Sequence, residues 1–448
     1  MIEKAERPKT VTGARGTTRA RLWVVSLVLG LLACGGEPEP GGRVLLVGID
    51  GASPRIVRPL LEQGRLPNLA RIAEQGVSGP LKSLHPLLSP RVWTTVATGK
   101  TPKRHGIENW VTPVRDGQQR LYLSSDRKVH ALWNIASDAG RSVAMVNWLV
   151  TYPPEPIRGV MITDHALPGA SEGKKFMRNL FAEAPASDDD ASLGEGSGPV
   201  TWPDSWIPRV AAAAEAEGAL TPIGDPFVTA TLPSWVLRDK LSAYYRQDET
   251  LARIALEVEA ETRPDVMMVL FQGIDRSSHM LWGMVEPAEL YPESLHPSAA
   301  EREGGLEALR RYYEYSDALI GLLVERFGPD DLIMVVSDHG FEAGVTWKIM
   351  TGTHNSPKAE DGVLFARGRR IRHGEAEGVS VTDVTPTILT WLGLPVGQDM
   401  DGEPAAFLDA RARTVATYET KPIPRLATGP SGAEETYIEQ LRELGYVE

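Results

Sequence analysis

The chain has 448 residues, 42% hydrophobic and 24% charged, so it holds enough apolar sequence to bury a sizeable core. Its formal net charge of −12 argues against a nucleic-acid backbone as the main partner, and no duplex binding is expected. A single cysteine excludes an internal disulfide.

Residues 1–21 are polar and basic, and Leu22 to Ala33 are apolar except for Ser26 and Gly30. That run is short for a membrane span but fits the apolar region of a signal peptide, expected over residues 1–33. Leu31-Leu32-Ala33-Cys34 resembles the lipobox of bacterial lipoproteins. The resemblance implies a lipid on Cys34 and an exported protein anchored to the membrane, facing the periplasm or the cell surface. An ordinary secretory signal with a chance cysteine remains the alternative, and both export the chain. Residues 34–42 read as a flexible tether. Without residues 1–33, which hold six Lys/Arg against two Glu, the remainder carries −16. An acidic protein handling an anionic substrate needs local positive charge, which metal ions can supply.

From residue 43 to 420 the chain reads as one catalytic domain. Val44-Leu45-Leu46-Val47-Gly48-Ile49 is a continuous apolar run ending at Asp50, the pattern of a strand buried on both faces of a parallel sheet. Similar runs lead to Asn147-Trp148, to Asp164-His165, to Gly273-Ile274-Asp275 and to Ser337-Asp338-His339-Gly340, with another at 363–366. Helical patterns lie between them, at roughly 54–76, 90–98, 129–140, 248–261, 305–327 and 383–393. This alternation predicts an α/β fold, a doubly wound and mostly parallel sheet with helices on both faces. Such sheets bind ligands beyond the carboxyl ends of their strands. Residues 166–247 break the alternation and, with 284–304, are expected to form a capping insertion over that edge. Residues 421–448 form a C-terminal tail, Pro/Gly-rich and then briefly helical.

Several strand ends deliver chemistry to this edge. Asp275 and His279 stand four apart, so a helix opening there would project both from one side. With Asp50, Asp338, His339 and His354 they make three carboxylates and three imidazoles, a mixed set suited to zinc more than to magnesium. Asp164-His165 looks equally good locally but has no matched neighbour and is set aside. Ser89 precedes a short helical run, with Pro90 at the first helical position and Gly99 able to close the end. Its hydroxyl is expected to be the N-cap, at a helix start that also favours an anion.

These residues, in order, resemble the type I phosphodiesterase / nucleotide pyrophosphatase family of the alkaline phosphatase superfamily. The resemblance is carried by Gly48-Ile49-Asp50-Gly51, Leu66-Pro67-Asn68-Leu69, Ser89 through Thr98-Gly99, and Pro102-Lys103-Arg104-His105-Gly106-Ile107. Asp275 with His279, Ser337-Asp338-His339-Gly340 and His354 complete it. It implies an alkaline phosphatase-like fold and two zinc ions. One would be held by Asp275, His279 and His354, the other by Asp50, Asp338, His339 and the oxygen of Ser89. It also makes Ser89 the nucleophile, where many members have Thr, and predicts a covalent phospho-Ser89 intermediate.

Substrate contacts are less marked. In nucleotide pyrophosphatases an Asn shortly after His-Gly-Ile contacts the phosphoryl group. Asn109 lies one position early, and Trp110 takes that place. Trp148 is either a wall for the leaving group or a packing residue. The substrate expected is small and phosphorylated, such as a nucleotide or another phosphodiester. The alternatives are a phosphomonoesterase of the same superfamily, or a non-catalytic surface lipoprotein on the same fold. A sulfatase would need a C/S-x-P-x-R signature, and Ser89-Pro90-Arg91 lacks that spacing.

Overall fold

The computed structural model describes residues 41–113, 120–167, 199–346 and 349–426. The proposed signal sequence, Cys34, most of the tether, part of the insertion and most of the tail lie outside them. No helix among the described residues is long and apolar enough to cross a membrane.

In chain order the first half contributes β1 (Val44–Ile49), α1 (Pro54–Glu62), α2 (Pro67–Glu74), β2 (Gly76–Leu81), α3 (Ser89–Thr98), α4 (Pro102–His105), α5 (Leu132–Asp138), β3 (Val143–Trp148) and β4 (Gly159–Thr163). Next come β5 (Thr201–Trp202), α6 (Ile207–Glu215), α7 (Arg238–Thr262), β6 (Val266–Phe271), α8 (Gly273–Leu281) and α9 (Ala299–Val324). The remainder holds β7 (Leu332–Val336), the hairpin β8 (Glu342–Thr346) and β9 (Ile349–Thr353), then β10 (Gly362–Arg367), β11 (Gly374–Glu375) and α10 (Val384–Trp391). A last short pair is β12 (Val396–Gly397) with β13 (Thr414–Val415).

The main sheet runs β11-β2-β10-β7-β1-β6-β3-β4-β5. Its centre, β7-β1-β6-β3-β4, is parallel throughout. β10 is antiparallel to both β2 and β7, and β5 is antiparallel to β4. Alternate residues of β1 serve opposite cores. Leu45, Val47 and Ile49 pack with α1, α2, α7 and α9, whereas Val44 and Leu46 pack with α3, α5 and α10. This is why β1 reads as apolar at every position rather than at every second one. The doubly wound, mostly parallel sheet of the sequence reading is the observed architecture.

Several element boundaries differ from those expected. The pattern at 54–76 is two helices, parted by Gly64 in the left-handed region (φ 69°) and by Pro67, and β2 begins at Gly76. The pattern at 248–261 starts ten residues earlier, at Arg238, and that at 305–327 starts at Ala299. The tether's last residues are already docked, since Gly41 N donates to Trp391 O (2.8 Å) and Trp391 Nε1 donates to Gly42 O (2.9 Å). The described part of the expected cap, residues 199–247, also departs from expectation. β5 extends the sheet edge, and Val210, Phe227, Val236 and Leu241 join the core on one face. Apolar burial thus makes much of this segment part of the domain's own core.

Leu66-Pro67-Asn68-Leu69 receives a structural account. Asp317 of α9 accepts from Asn68 N (3.0 Å) and Leu69 N (2.8 Å), so its carboxylate closes the start of α2.

The far end of α3 is strapped by the C-terminal segment. Buried Lys100 donates to Asp399 (2.6 Å) and Glu419 (2.9 Å), and Glu419 also accepts from His130 N (3.1 Å). Partial burial pushes the Glu419 carboxyl up, but His130 and Lys100 outweigh it and hold it down at about 2. A depressed carboxyl contributes stability above its unfolded value, near 4.5, and loses it as pH falls through about 2. Glu419→Gln is therefore expected to be less stable than wild type at pH 7, with the two denaturation midpoints converging towards pH 2. A constant gap between the two across that range would show that the ionised strap contributes nothing.

Candidate active site

Three adjacent parallel strands, β7, β1 and β6, end at the same edge of the sheet. Asp50 follows β1, Asp338 and His339 follow β7, and Asp275 and His279 lie on α8, which begins two residues after β6. His354 follows β9, the second strand of the hairpin beyond β7. Ser89 opens α3 on the adjoining face. The topology thus gathers residues more than 300 positions apart at the place where strand order reverses.

The turn after β1 depends on glycine. Gly51 has φ 71°, and its N–H donates to Asp338 Oδ1 (3.1 Å). A Cβ there would lie 2.8 Å from Phe341 and 2.9 Å from the Asp275 backbone. Gly48 is a close-approach site as well, because a Cβ would meet the Trp93 ring at 2.7 Å and push α3 off β1.

His339 Nε2 stands in the middle. It lies 3.4 Å from Asp50 Oδ1, 3.4 Å from Asp338 Oδ2 and 3.9 Å from Asp275 Oδ1. Asp275 Oδ1 also faces His279 Nε2 (3.5 Å) and His354 Nε2 (3.7 Å). The His339 and His354 rings stack with centroids 3.9 Å apart.

Each imidazole is fixed through its other nitrogen. His279 Nδ1 donates to Gly352 O (3.0 Å), His339 Nδ1 to Gly340 O (3.0 Å) and His354 Nδ1 to Leu87 O (2.7 Å). A carbonyl only accepts, so each Nδ1 carries the proton and each Nε2 is turned towards the carboxylates. This is the orientation that metal-ligating histidines take.

The donor set fits a divalent metal. Asp275 Oδ1, Asp338 Oδ2 and His339 Nε2 are buried without a hydrogen-bond partner, a costly arrangement unless a cation completes it. Among the described residues, two groups of three can each hold an ion: Asp50, Asp338 and His339, and Asp275, His339 and His354. His339 belongs to both, whereas the sequence reading assigned it to one. His279 borders the second group through Asp275. Burial raises the carboxyls of Asp275 and Asp338, and the neighbouring Asp50 carboxylate raises both further. Burial works against a charged His339, but Asp338, Asp50 and Asp275 outweigh it and lift the imidazole to about 10. His354 is driven well below its ordinary value by burial and then by His339 and His279.

Ser89 is not the cap it was expected to be. The N-cap is Leu88, Ser89 is the first helical residue, and no side chain caps α3. Its Oγ donates instead to Asp50 Oδ1 (3.3 Å). The hydroxyl is aimed across the sheet edge at the carboxylate cluster.

A family model for type I phosphodiesterase / nucleotide pyrophosphatase matches residues 44–368, from the first strand past the last of these residues. The chain belongs to that family. Membership makes it one of a family of phosphoester hydrolases. The chain is similar in fold to the alkaline phosphatase PafA, at 10% identity over 83% of this chain and 99% of that one, with a TM-score of 0.52. A 2-O GAG sulfatase is similar at 14% identity, over 81% and 73% of the two chains, with a TM-score of 0.49. Phosphonoacetate hydrolase from Sinorhizobium meliloti aligns at 17% identity over 69% and 58%, with a TM-score of 0.40. No curated protein matches the sequence.

The two substrate-contact readings fare differently in this phosphodiesterase-family chain. Trp148 is fully buried, donates from Nε1 to Trp93 O (3.0 Å) and stacks edge-on against Trp93. These are the contacts of a packing residue between β3 and α3. Asn109 is half-buried, and its Oδ1 accepts from Trp110 N (2.7 Å). Asp164 has a structural task too, receiving Val150 N (2.8 Å), Thr151 N (3.3 Å) and Tyr152 N (3.1 Å) where Val150 holds φ 59°. Setting Asp164-His165 aside agrees with that.

Two further residues shape the site, His105 of the His-Gly-Ile motif and Asp248, which has no motif around it. His105 Nδ1 accepts from Ile107 N (3.1 Å), so its Nε2 donates to Thr95 Oγ1 (3.0 Å), which donates to Arg91 O (3.0 Å). The His-Gly-Ile segment is thereby tied to the second turn of α3. Burial, then Arg127 and Arg91, hold His105 down at about 3, so it is neutral. Asp248 of α7 accepts from Gly273 N (3.2 Å) and Tyr312 Oη (2.9 Å), bracing the start of α8. His105 acts on neighbours within ten residues, whereas the partners of Asp248 lie 25 and 64 positions away.

Proposed function

We propose that the chain is an exported phosphohydrolase that cleaves small phosphodiesters, nucleotide pyrophosphates among them, through a covalent phospho-Ser89. The observation that carries this is the Ser89 hydroxyl, buried beside three carboxylates and three imidazoles whose Nε2 atoms converge. Asp50, Asp338, His339 and Ser89 would hold one zinc, and Asp275, His279 and His354 the other, with His339 beside both. When bound, the two ions supply the positive charge that favours an ionised serine and offsets the phosphoryl oxygens.

The chain's own residues supply position. Leu88 as N-cap frees the Ser89 hydroxyl from any capping task, and α3 aims it at Asp50 Oδ1. Ser89 Oγ bonds to phosphorus in line with the leaving oxygen, whose bond to phosphorus breaks, and the serine's proton ends on that leaving oxygen. Water then cleaves the Ser89–phosphorus bond, releasing the phosphorylated product and restoring the hydroxyl. The N-terminal end of α3, with the N–H groups of Ser89 and Arg91 and none at Pro90, favours the developing negative charge. The site lies beyond the strand ends, where a small substrate enters, and Asn109 is the substrate contact that its position after His-Gly-Ile suggests.

Nitrophenyl phosphate, bis-nitrophenyl phosphate and a nucleoside nitrophenyl phosphodiester separate the readings. We expect kcat/KM for the diesters to exceed that for the monoester by at least about tenfold, a difference of about 1.4 kcal/mol. A faster monoester would make the protein a phosphomonoesterase. No metal bound by the purified chain would favour a non-catalytic lipoprotein. The lipid on Cys34 and the signal at 1–33 belong to the same proposal, checked by mass spectrometry of the exported protein.

A further inference from the structure

The residue linking β6 to α8 makes a contact that the chemistry above does not use. Gln272 is 6% exposed, and its Nε2 lies 3.4 Å from Asp50 Oδ2. Its Oε1 accepts from Arg276 (3.0 Å), whose guanidinium also donates to Gln247 Oε1 and lies over the Tyr244 ring. A guanidinium only donates, so the Arg276 contact dictates which end of the amide is oxygen. The NH2 end then has to face Asp50.

From this geometry we infer that Gln272, held by Arg276, is a positioning residue that keeps Asp50 a one-oxygen ligand. The inference rests on the reading of Asp50 as a metal ligand. Asp50 Oδ2 is engaged by the amide, and Oδ1 is the oxygen facing Ser89 Oγ (3.3 Å) and His339 Nε2 (3.4 Å). Without the amide, the carboxylate is free to rotate about its Cβ–Cγ bond. It would offer both oxygens or the wrong one, and the metal group of Asp50, Asp338 and His339 would lose its preset shape. The support reaches across the sheet, since Gln247 is on α7, Gln272 and Arg276 stand at α8 and Asp50 follows β1. Contacts that orient a ligating carboxylate typically set metal affinity by about 10- to 100-fold.

The test is zinc binding by the full chain, measured by competition with a chromophoric chelator. Gln272→Met keeps the side chain's length and removes the donor. One of the two zincs should bind about 10- to 100-fold more weakly, and the other should keep its wild-type constant. Arg276→Met should weaken the same zinc by a smaller factor, because the amide stays but its orientation is released. Melting of the metal-free proteins checks folding, and if Gln272→Met fails to fold, the half-buried Arg276 variant decides. Wild-type constants for both zincs in the variants overturn the inference. A wild-type chain that binds no zinc overturns the proposed function and this inference with it, so the two failures are distinct.

Discussion

Ser89→Ala is expected to lower turnover by at least about 10³-fold while the protein keeps its full complement of metal. The argument rests on what the hydroxyl does not do. Had it capped α3, its removal would cost about 0.5–2 kcal/mol of stability, and lost activity could be ascribed to a loosened helix. The cap is Leu88, and the single hydrogen bond of Ser89 runs to Asp50. Deleting it should change thermal stability little, by about 1 kcal/mol or less. Ser89→Thr retains the oxygen and should keep activity within about tenfold of wild type. Steady-state kinetics, metal analysis and a melting curve on the three proteins check this together. An active alanine variant would remove Ser89 from the chemistry.

The second large effect is expected at His339. Its Nε2 faces three carboxylates and belongs to both groups that can hold an ion. His339→Ala should therefore weaken both sites, whereas His279→Ala should weaken only the group around Asp275. A metal at about 1,000 times its dissociation constant stabilises the folded chain by about 4 kcal/mol. In the His339→Ala protein that increment should fall below about 1 kcal/mol, read as a much smaller difference in melting between zinc-loaded and chelated samples. Two zincs retained with a wild-type melting shift would show that His339 is not a shared ligand. Zinc is the expected metal because nitrogen and oxygen donors are mixed, and the same titration with magnesium is expected to give little.

How much was legible in advance follows from how local each signal is. The apolar runs ending at Asp50, Asp275 and Asp338 are strands buried on both faces, and that burial leaves a mark in every residue of the run. The alternation of strands with helices follows from them. The pattern at 54–76 keeps helical spacing on both sides of Gly64 and Pro67, so periodicity alone does not show the break between α1 and α2. Within 199–247 the two-residue edge strand β5 and the scattered core residues leave no period in the sequence. Trp148 shows the limit for single side chains, since its burial against Trp93 is set by how β3 meets α3.

The ordered set Asp50, Ser89, Asp275, His279, Asp338, His339 and His354 was determined by the sequence alone, and with it the family and the doubly wound sheet. Strand ends and loop residues announce themselves in chain order. Which of these residues touch was decided only by the tertiary structure. The strand order β7-β1-β6 brings Asp338, Asp50 and Asp275 side by side, placing His339 between the carboxylates. It also decided the orientation of each side chain, through Gly352, Gly340 and Leu87 for the imidazoles and Gln272 for Asp50. The physical reason is range. Apolar burial along a strand is written in neighbouring residues, whereas a hydrogen bond that aims a ligand joins residues up to 267 positions apart.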